Sequence, residues 1–120
     1  MDELLKEEVI NLIKNSFNPN KTDIVCLMGS RARGDEIKSS DIDTMIFTKN
    51  IERYLKIAIA KGFRKEGEDA GCEIKTSEGF HLEIKVSKHE VPKFDSMFYN
   101  DILNSYSLIN EDGLNKFKKN

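Results

Sequence analysis

The chain has 120 residues, enough for one domain with a buried core and too few for two. It carries 19 basic and 21 acidic side chains, a net charge of −2, which argues against a basic face that grips a nucleic-acid backbone. Its two cysteines, Cys26 and Cys72, lack CxxC or Cys/His spacing, which argues against structural zinc and fits a reducing compartment.

The N-terminal stretch MDELLKEEVINLIK is acidic and broken by charge, unlike a signal peptide. No apolar run approaches the roughly 18 residues of a membrane span, so the expectation is a soluble cytoplasmic protein with no membrane partner. Leu4, Leu5, Val9, Leu12, Ile13 and Phe17 lie on one stripe of a helix over residues 2–17, which Asn18-Pro19-Asn20 breaks. DIVCLM, 23–28, reads as a buried strand ended by Gly29. Residues 30–40 are polar, with room for one helical turn. DIDTMIFT, 41–48, is a second strand, and Ile51, Tyr54, Leu55 and Ala58 predict a helix closed by Gly62.

The period then changes. CEIKT and FHLEIKV alternate apolar with polar around Ser77-Glu78-Gly79, a hairpin signal. After Pro92, Phe94, Met97, Phe98 and Ile102 suggest a helix, and YSLI, 106–109, a last strand. Lys116, Lys118 and Lys119 read as a solvated helix end. Residues 1–120 therefore form one α+β domain, a mixed sheet with helices packed on one face and solvent or a site on the other. His81 reads as a surface strand residue, His89 as an uninformative loop residue, Cys26 as core, and Tyr54, Tyr99 and Tyr106 as packing residues.

The chemistry concentrates in GSRARGDEIKSSDID, residues 29–43. In a strand, residues two apart share a face, so Asp41 and Asp43 project together while Ile42 faces the core. Two such carboxylates repel, and a divalent cation with all-oxygen ligation removes the conflict. Gly29 allows a sharp turn that brings backbone amides to a phosphate, and Ser30 adds a hydroxyl. Arg31 and Arg33 add forked cations, either of which could face the site. The bland alternative is a polar loop. GSRARG starts like a P-loop, but Asp35-Glu36 stands where Lys-Ser/Thr is required, and DIDTM fails the calcium-loop pattern at Met45 and Ile46. If Leu82 and Ile84 face the core, Glu83 lies on the opposite face with His81 and Lys85. It would join the aspartates if the two strands are neighbours, with Glu73 as competitor.

Taken together, Gly29, Ser30, Ala32, Arg33, Gly34, Ser40, Asp41 and Asp43, followed by an acid between apolar residues in a later strand, resemble the DNA polymerase β-like nucleotidyltransferase superfamily. The likeness is greatest to its minimal nucleotidyltransferases, the antitoxin-like branch, and FYNDILNSYSLIN resembles that family's terminal helix and strand. The resemblance implies the polymerase β-like fold, with Gly29, Ser30 and Arg33 against the triphosphate and Asp41 and Asp43 holding two Mg²⁺ ions, or Mn²⁺. The family's third carboxylate, often Asp, falls on Glu83, as metal ligand and as a group that helps deprotonate the acceptor hydroxyl. The implied activity is transfer of a nucleoside monophosphate, AMP from ATP, to a hydroxyl of a protein partner, as antitoxin to a HEPN-domain protein. Two other readings stand beside it. One is a weak or inactive nucleotidyltransferase-fold module that neutralises a partner by docking, with Phe94, Met97, Phe98 or Tyr99 as contact points. The other is a small-molecule nucleotidyltransferase.

Overall fold

The computed structural model describes residues 1–64, 67–90 and 96–119. Helix α1 (Glu3–Phe17) starts where Asp2 accepts a hydrogen bond from Leu5 N at 2.8 Å, and it ends where Asn18 turns left-handed ahead of Pro19. Strand β1 (Ile24–Met28) is buried along its whole length. The polar stretch after it contains the one expected helical turn, α2 (Gly29–Arg33), closed by left-handed Gly34. Strand β2 (Ile42–Thr48) and helix α3 (Ile51–Ala60) follow, with the Asn50 side chain capping α3 by accepting from Arg53 N.

The hairpin forms as predicted, from β3 (Gly71–Lys75) and β4 (His81–Lys88). Its turn is tied to α1: Glu8 accepts from Ser77 N at 2.9 Å and from Ser77 Oγ at 3.1 Å. Helix α4 (Ser96–Leu103), strand β5 (Tyr106–Ile109) and helix α5 (Glu111–Lys118) complete the chain. No helix among the described residues is long and apolar enough to cross a membrane.

The strands form one sheet in the order β3-β4-β2-β1-β5. Strands β2 and β4 run parallel, and the other three pairings are antiparallel. A parallel pair needs a long crossover, which α3 and β3 supply between them.

Side-chain parity divides the sheet into two apolar faces. Val25, Leu27, Ile42, Ile46, Leu82 and Ile84 point to a first cluster with Val9, Ile13 and Phe17 of α1 and Tyr54 and Ala58 of α3. Ile24, Cys26, Met28, Met45 and Phe47 point to a second cluster with Ile102 of α4 and Leu114 and Phe117 of α5. The fold class is the predicted one, but helices cover both faces rather than one. The reason is the charged tail: it is a helix in its own right, with Leu114 and Phe117 three residues apart on its inner side and the Asn110 side chain accepting from Gly113 N at 3.0 Å. Phe117 packs its ring 4.7 Å from that of Phe47 and 4.9 Å from that of His89, so His89 belongs to this packing.

Two further expectations change. In α4 the inward stripe is Phe98 and Ile102, while Met97 is 80% exposed, because 97 falls on the other side of a helix that buries 102. Phe94 lies outside the described residues. Tyr106 is exposed at the sheet edge, with the Lys6 ammonium over its ring, rather than packed within the core.

One buried polar contact ties the first layer together. Asp23, almost fully buried at the start of β1, accepts hydrogen bonds from Asn20 N and from the Tyr54 hydroxyl of α3. Burial, reinforced by Asp23, holds the Tyr54 hydroxyl well above its usual range, so it remains a donor. Tyr54→Phe removes that donor and leaves a buried carboxylate short of a partner. Urea unfolding should show a loss of about 1–3 kcal/mol.

Candidate functional site

The site is built where β1 ends and β2 and β4 begin. Register pairs Met28 with Asp43 across β1 and β2, and Asp43 with Glu83 across β2 and β4. Asp43 shares its face with Met45 and Phe47, and Glu83 shares its face with Lys85, both opposite the first cluster. The two carboxylates are therefore lateral neighbours on one face of adjacent strands. Thr44 points the other way and pins this register, donating from Oγ1 to Glu83 O at 2.8 Å.

Burial is the first cause that raises the Asp43 carboxyl above its usual range, followed by the charge of Glu83 and a side-chain hydrogen bond with it. Lys85 acts in the opposite direction, and Asp41 adds to the rise. Asp41 itself is exposed, one residue ahead of β2. Glu73, the competing acid, is the register partner of Glu83 on the outer strand and is exposed, so it sits one strand further from Asp43. Lys85 reaches back along β4 and places Nζ 3.1 Å from Glu83 Oε1.

Gly29 is fitted to this carboxylate. Its φ is +70°, in the left-handed region, and a Cβ there would lie 2.6 Å from Asp43 Oδ2. No other residue type permits both the turn from β1 into α2 and the close approach of Asp43. Ser30 follows in the first turn of α2, and its carbonyl accepts from Gly34 N and Asp35 N, which tightens the loop.

The two arginines point apart. Arg31 donates from Nε and Nη2 to Ser40 O, at 3.2 and 2.9 Å, and its guanidinium lies 4.8 Å from the Phe80 ring. It serves as a strut that holds the end of the loop against the first-cluster side. Arg33 faces α4, on the carboxylate side of the sheet, where it pairs with Asp35 at 3.3 Å and Asp101 at 3.6 Å.

Asp43 and Glu83 offer hard oxygen donors of the kind that Mg²⁺ and Mn²⁺ take, with Asp41 near enough to act on Asp43 electrostatically. The donor chemistry fits such an ion. Among the described residues no three acidic, histidine or cysteine side chains are already drawn into a ligand cluster. His81 is exposed on β4 opposite Lys75. Cys26 is buried in the second cluster, its thiol pushed up to about 12 by burial, so it is an inert core group. A hollow lined by Ser105, Tyr106, Asn110, Leu114 and Lys118 lies at the β5 edge, two strands from Asp43.

The sequence does not reveal Lys85 as the ion partner of Glu83 or Asp101 as that of Arg33. The first is visible only as a lysine two residues along the same strand face. The second depends on where α4 docks.

Two outcomes follow from this geometry. A raised carboxyl favours the folded state most when protonated, so that stability is lost as pH rises through the folded value. Asp43→Asn should therefore raise the melting temperature of the metal-free protein at pH 7, and the gain should shrink as pH falls toward 4. Gly29→Ala should cost more stability than Gly34→Ala in denaturant titrations. Both positions have positive φ, but only Gly29 would also crowd a carboxylate, while Gly34 faces open space. The backbone penalty common to both is about 1–2 kcal/mol.

Comparison with known proteins identifies the fold family. Residues 7–109 match the model of the nucleotidyltransferase domain family. Among curated proteins none matches the chain in sequence. Among solved structures, a crystal structure of a toxin–antitoxin with AMP-PNP is similar at 14% identity and a TM-score of 0.50, covering 95% of this chain and 81% of that one. A cytoplasmic RNA terminal U-transferase (14% identity, TM-score 0.48) and the Cid1 poly(U) polymerase (15%, 0.42) each align over 87% of this chain. The chain spans only 34% and 35% of their lengths. With the family match extending from α1 through β5, the chain belongs to the nucleotidyltransferase domain family.

Proposed function

We propose that this domain transfers a nucleoside monophosphate, AMP from ATP, to a hydroxyl of a protein partner, with a divalent metal held by Asp41, Asp43 and Glu83. The observation that carries the reading is the side-by-side placement of Asp43 and Glu83, one strand from the Gly29-Ser30 turn. In the proposed reaction the acceptor oxygen attacks the α-phosphorus, forming a P–O bond. The bond from that phosphorus to the bridging oxygen breaks, and pyrophosphate leaves. The hydroxyl proton passes to the Glu83 carboxylate or to water beside it. Mg²⁺ or Mn²⁺, when bound, supplies positive charge for the attacking and leaving oxygens.

The chain's own groups divide the rest of the work. The Gly29-Ser30 backbone and the Ser30 hydroxyl orient the triphosphate, with Arg33 turning from its acidic partners to the phosphate oxygens. The acceptor approaches over the β3–β4 side of the site, where Glu73, Lys75, His81 and Lys85 are exposed. The net charge of −2 supports a protein acceptor over a nucleic-acid one. The similar structure of a toxin–antitoxin with AMP-PNP supports an antitoxin role; a HEPN-domain partner is what the resemblance to minimal nucleotidyltransferases implies.

A second reading has its own observation. Glu83 and Arg33 already have charged partners in Lys85 and Asp101, as expected of a fold that neutralises a partner by docking without chemistry.

Incubation of the protein and a candidate HEPN-domain partner with α-labelled ATP and Mg²⁺ should label the partner. Asp41→Ala/Asp43→Ala should lower labelling by at least roughly a hundredfold, in line with losing a charge-stabilising group. Labelling unchanged in that variant rules out the metal mechanism. Partner neutralisation that survives in it, without labelling, selects docking.

A further inference from the structure

We propose that Lys85 is a built-in counter-cation of the carboxylate site: it partners Glu83 while the metal is absent and yields that carboxylate when the metal binds. It thereby sets how tightly the site takes a divalent cation. This inference rests on the metal-binding reading above.

The geometry is specific. Glu83 and Lys85 are two apart on one strand face, and Nζ lies 3.1 Å from Glu83 Oε1. Register places Met45 beside Lys85 on β2 and Gly71 beside it on β3. Neither direct neighbour is charged; Glu73 lies diagonally across β3, and the ammonium pairs instead with Glu83 along its own strand. Its charge also reaches Asp43, where it opposes the effects of burial and of Glu83. Lys85 is 61% exposed on its side chain, so it can swing into solvent without leaving a buried charge behind. A carboxylate pair held this close in the metal-free chain repels, and one flexible ammonium offsets that repulsion while remaining displaceable. An arginine strut such as Arg31, fixed by two hydrogen bonds and an aromatic face, would not be.

The test is a Mn²⁺ titration of the full chain at pH 7, by calorimetry or water-proton relaxation, on wild type, Lys85→Met, Lys85→Gln and Lys85→Arg. Removing one positive charge a few ångströms from a dication should tighten binding roughly threefold to tenfold after salt screening. Both neutral variants should show it, the arginine variant should stay near wild type, and the difference should narrow in 0.5 M KCl. Thermal melts without metal identify which neutral variant is folded, and either one suffices. Equal or weaker Mn²⁺ affinity in a folded neutral variant overturns the role given to Lys85. Wild type that takes no Mn²⁺ at millimolar concentration overturns the metal reading itself.

Discussion

The parallel register of β2 against β4 is the constraint on which the rest of this molecule turns. Ile42, Thr44 and Ile46 on one strand and Leu82, Ile84 and Val86 on the other face the first apolar layer. Because strand parity is strict, the residues between them must face the other way, and two of those are Asp43 and Glu83. Hydrophobic burial on one side thus holds two like charges together on the other. The Thr44 hydroxyl on the Glu83 carbonyl resists a slip that would separate them. Repulsion between the acids is the cost, and after burial it is the next cause of the raised Asp43 carboxyl.

The turn after β1 is shaped around the same pair. Gly29 combines positive φ with a carboxylate where a side chain would otherwise start. This brings the start of α2 against Asp43, and the loop beyond it is held from both ends. Arg31 clasps Ser40 O on one side, and Arg33 bridges to Asp101 of α4 on the other. Two arginines that look equivalent in sequence thus have different tasks. One is consumed by structure, and the other is held by exposed ion pairs of the kind that exchange at small cost.

The second apolar layer decides how open the site is. Helices α4 and α5 cover β1 and the later part of β2 through Met45 and Phe47, and among the described residues no helix of this second cluster packs on β3 or on the start of β4. The carboxylates therefore sit at a boundary, with packed apolar surface to one side and exposed polar strand to the other. That boundary provides the partial burial that perturbs Asp43.

The sequence by itself determined the elements and the motif. Alternation in CEIKT and FHLEIKV, the apolar stripe of α1 and the glycine that ends β1 are local signals, and local backbone preference was enough to read them. The family likeness was legible for the same reason, since GSRARG and SDID lie within fifteen residues. Tertiary structure alone decided what depends on residues far apart in the chain. Strand order placed Glu83 rather than Glu73 beside Asp43, forty residues away in sequence. The docking of a tail that reads as charged put helices on both faces of the sheet. Arg33 and Lys85 found their partners only through that packing. Pairing between strands is set by which buried surfaces fit one another, and composition and period along one strand do not encode that choice.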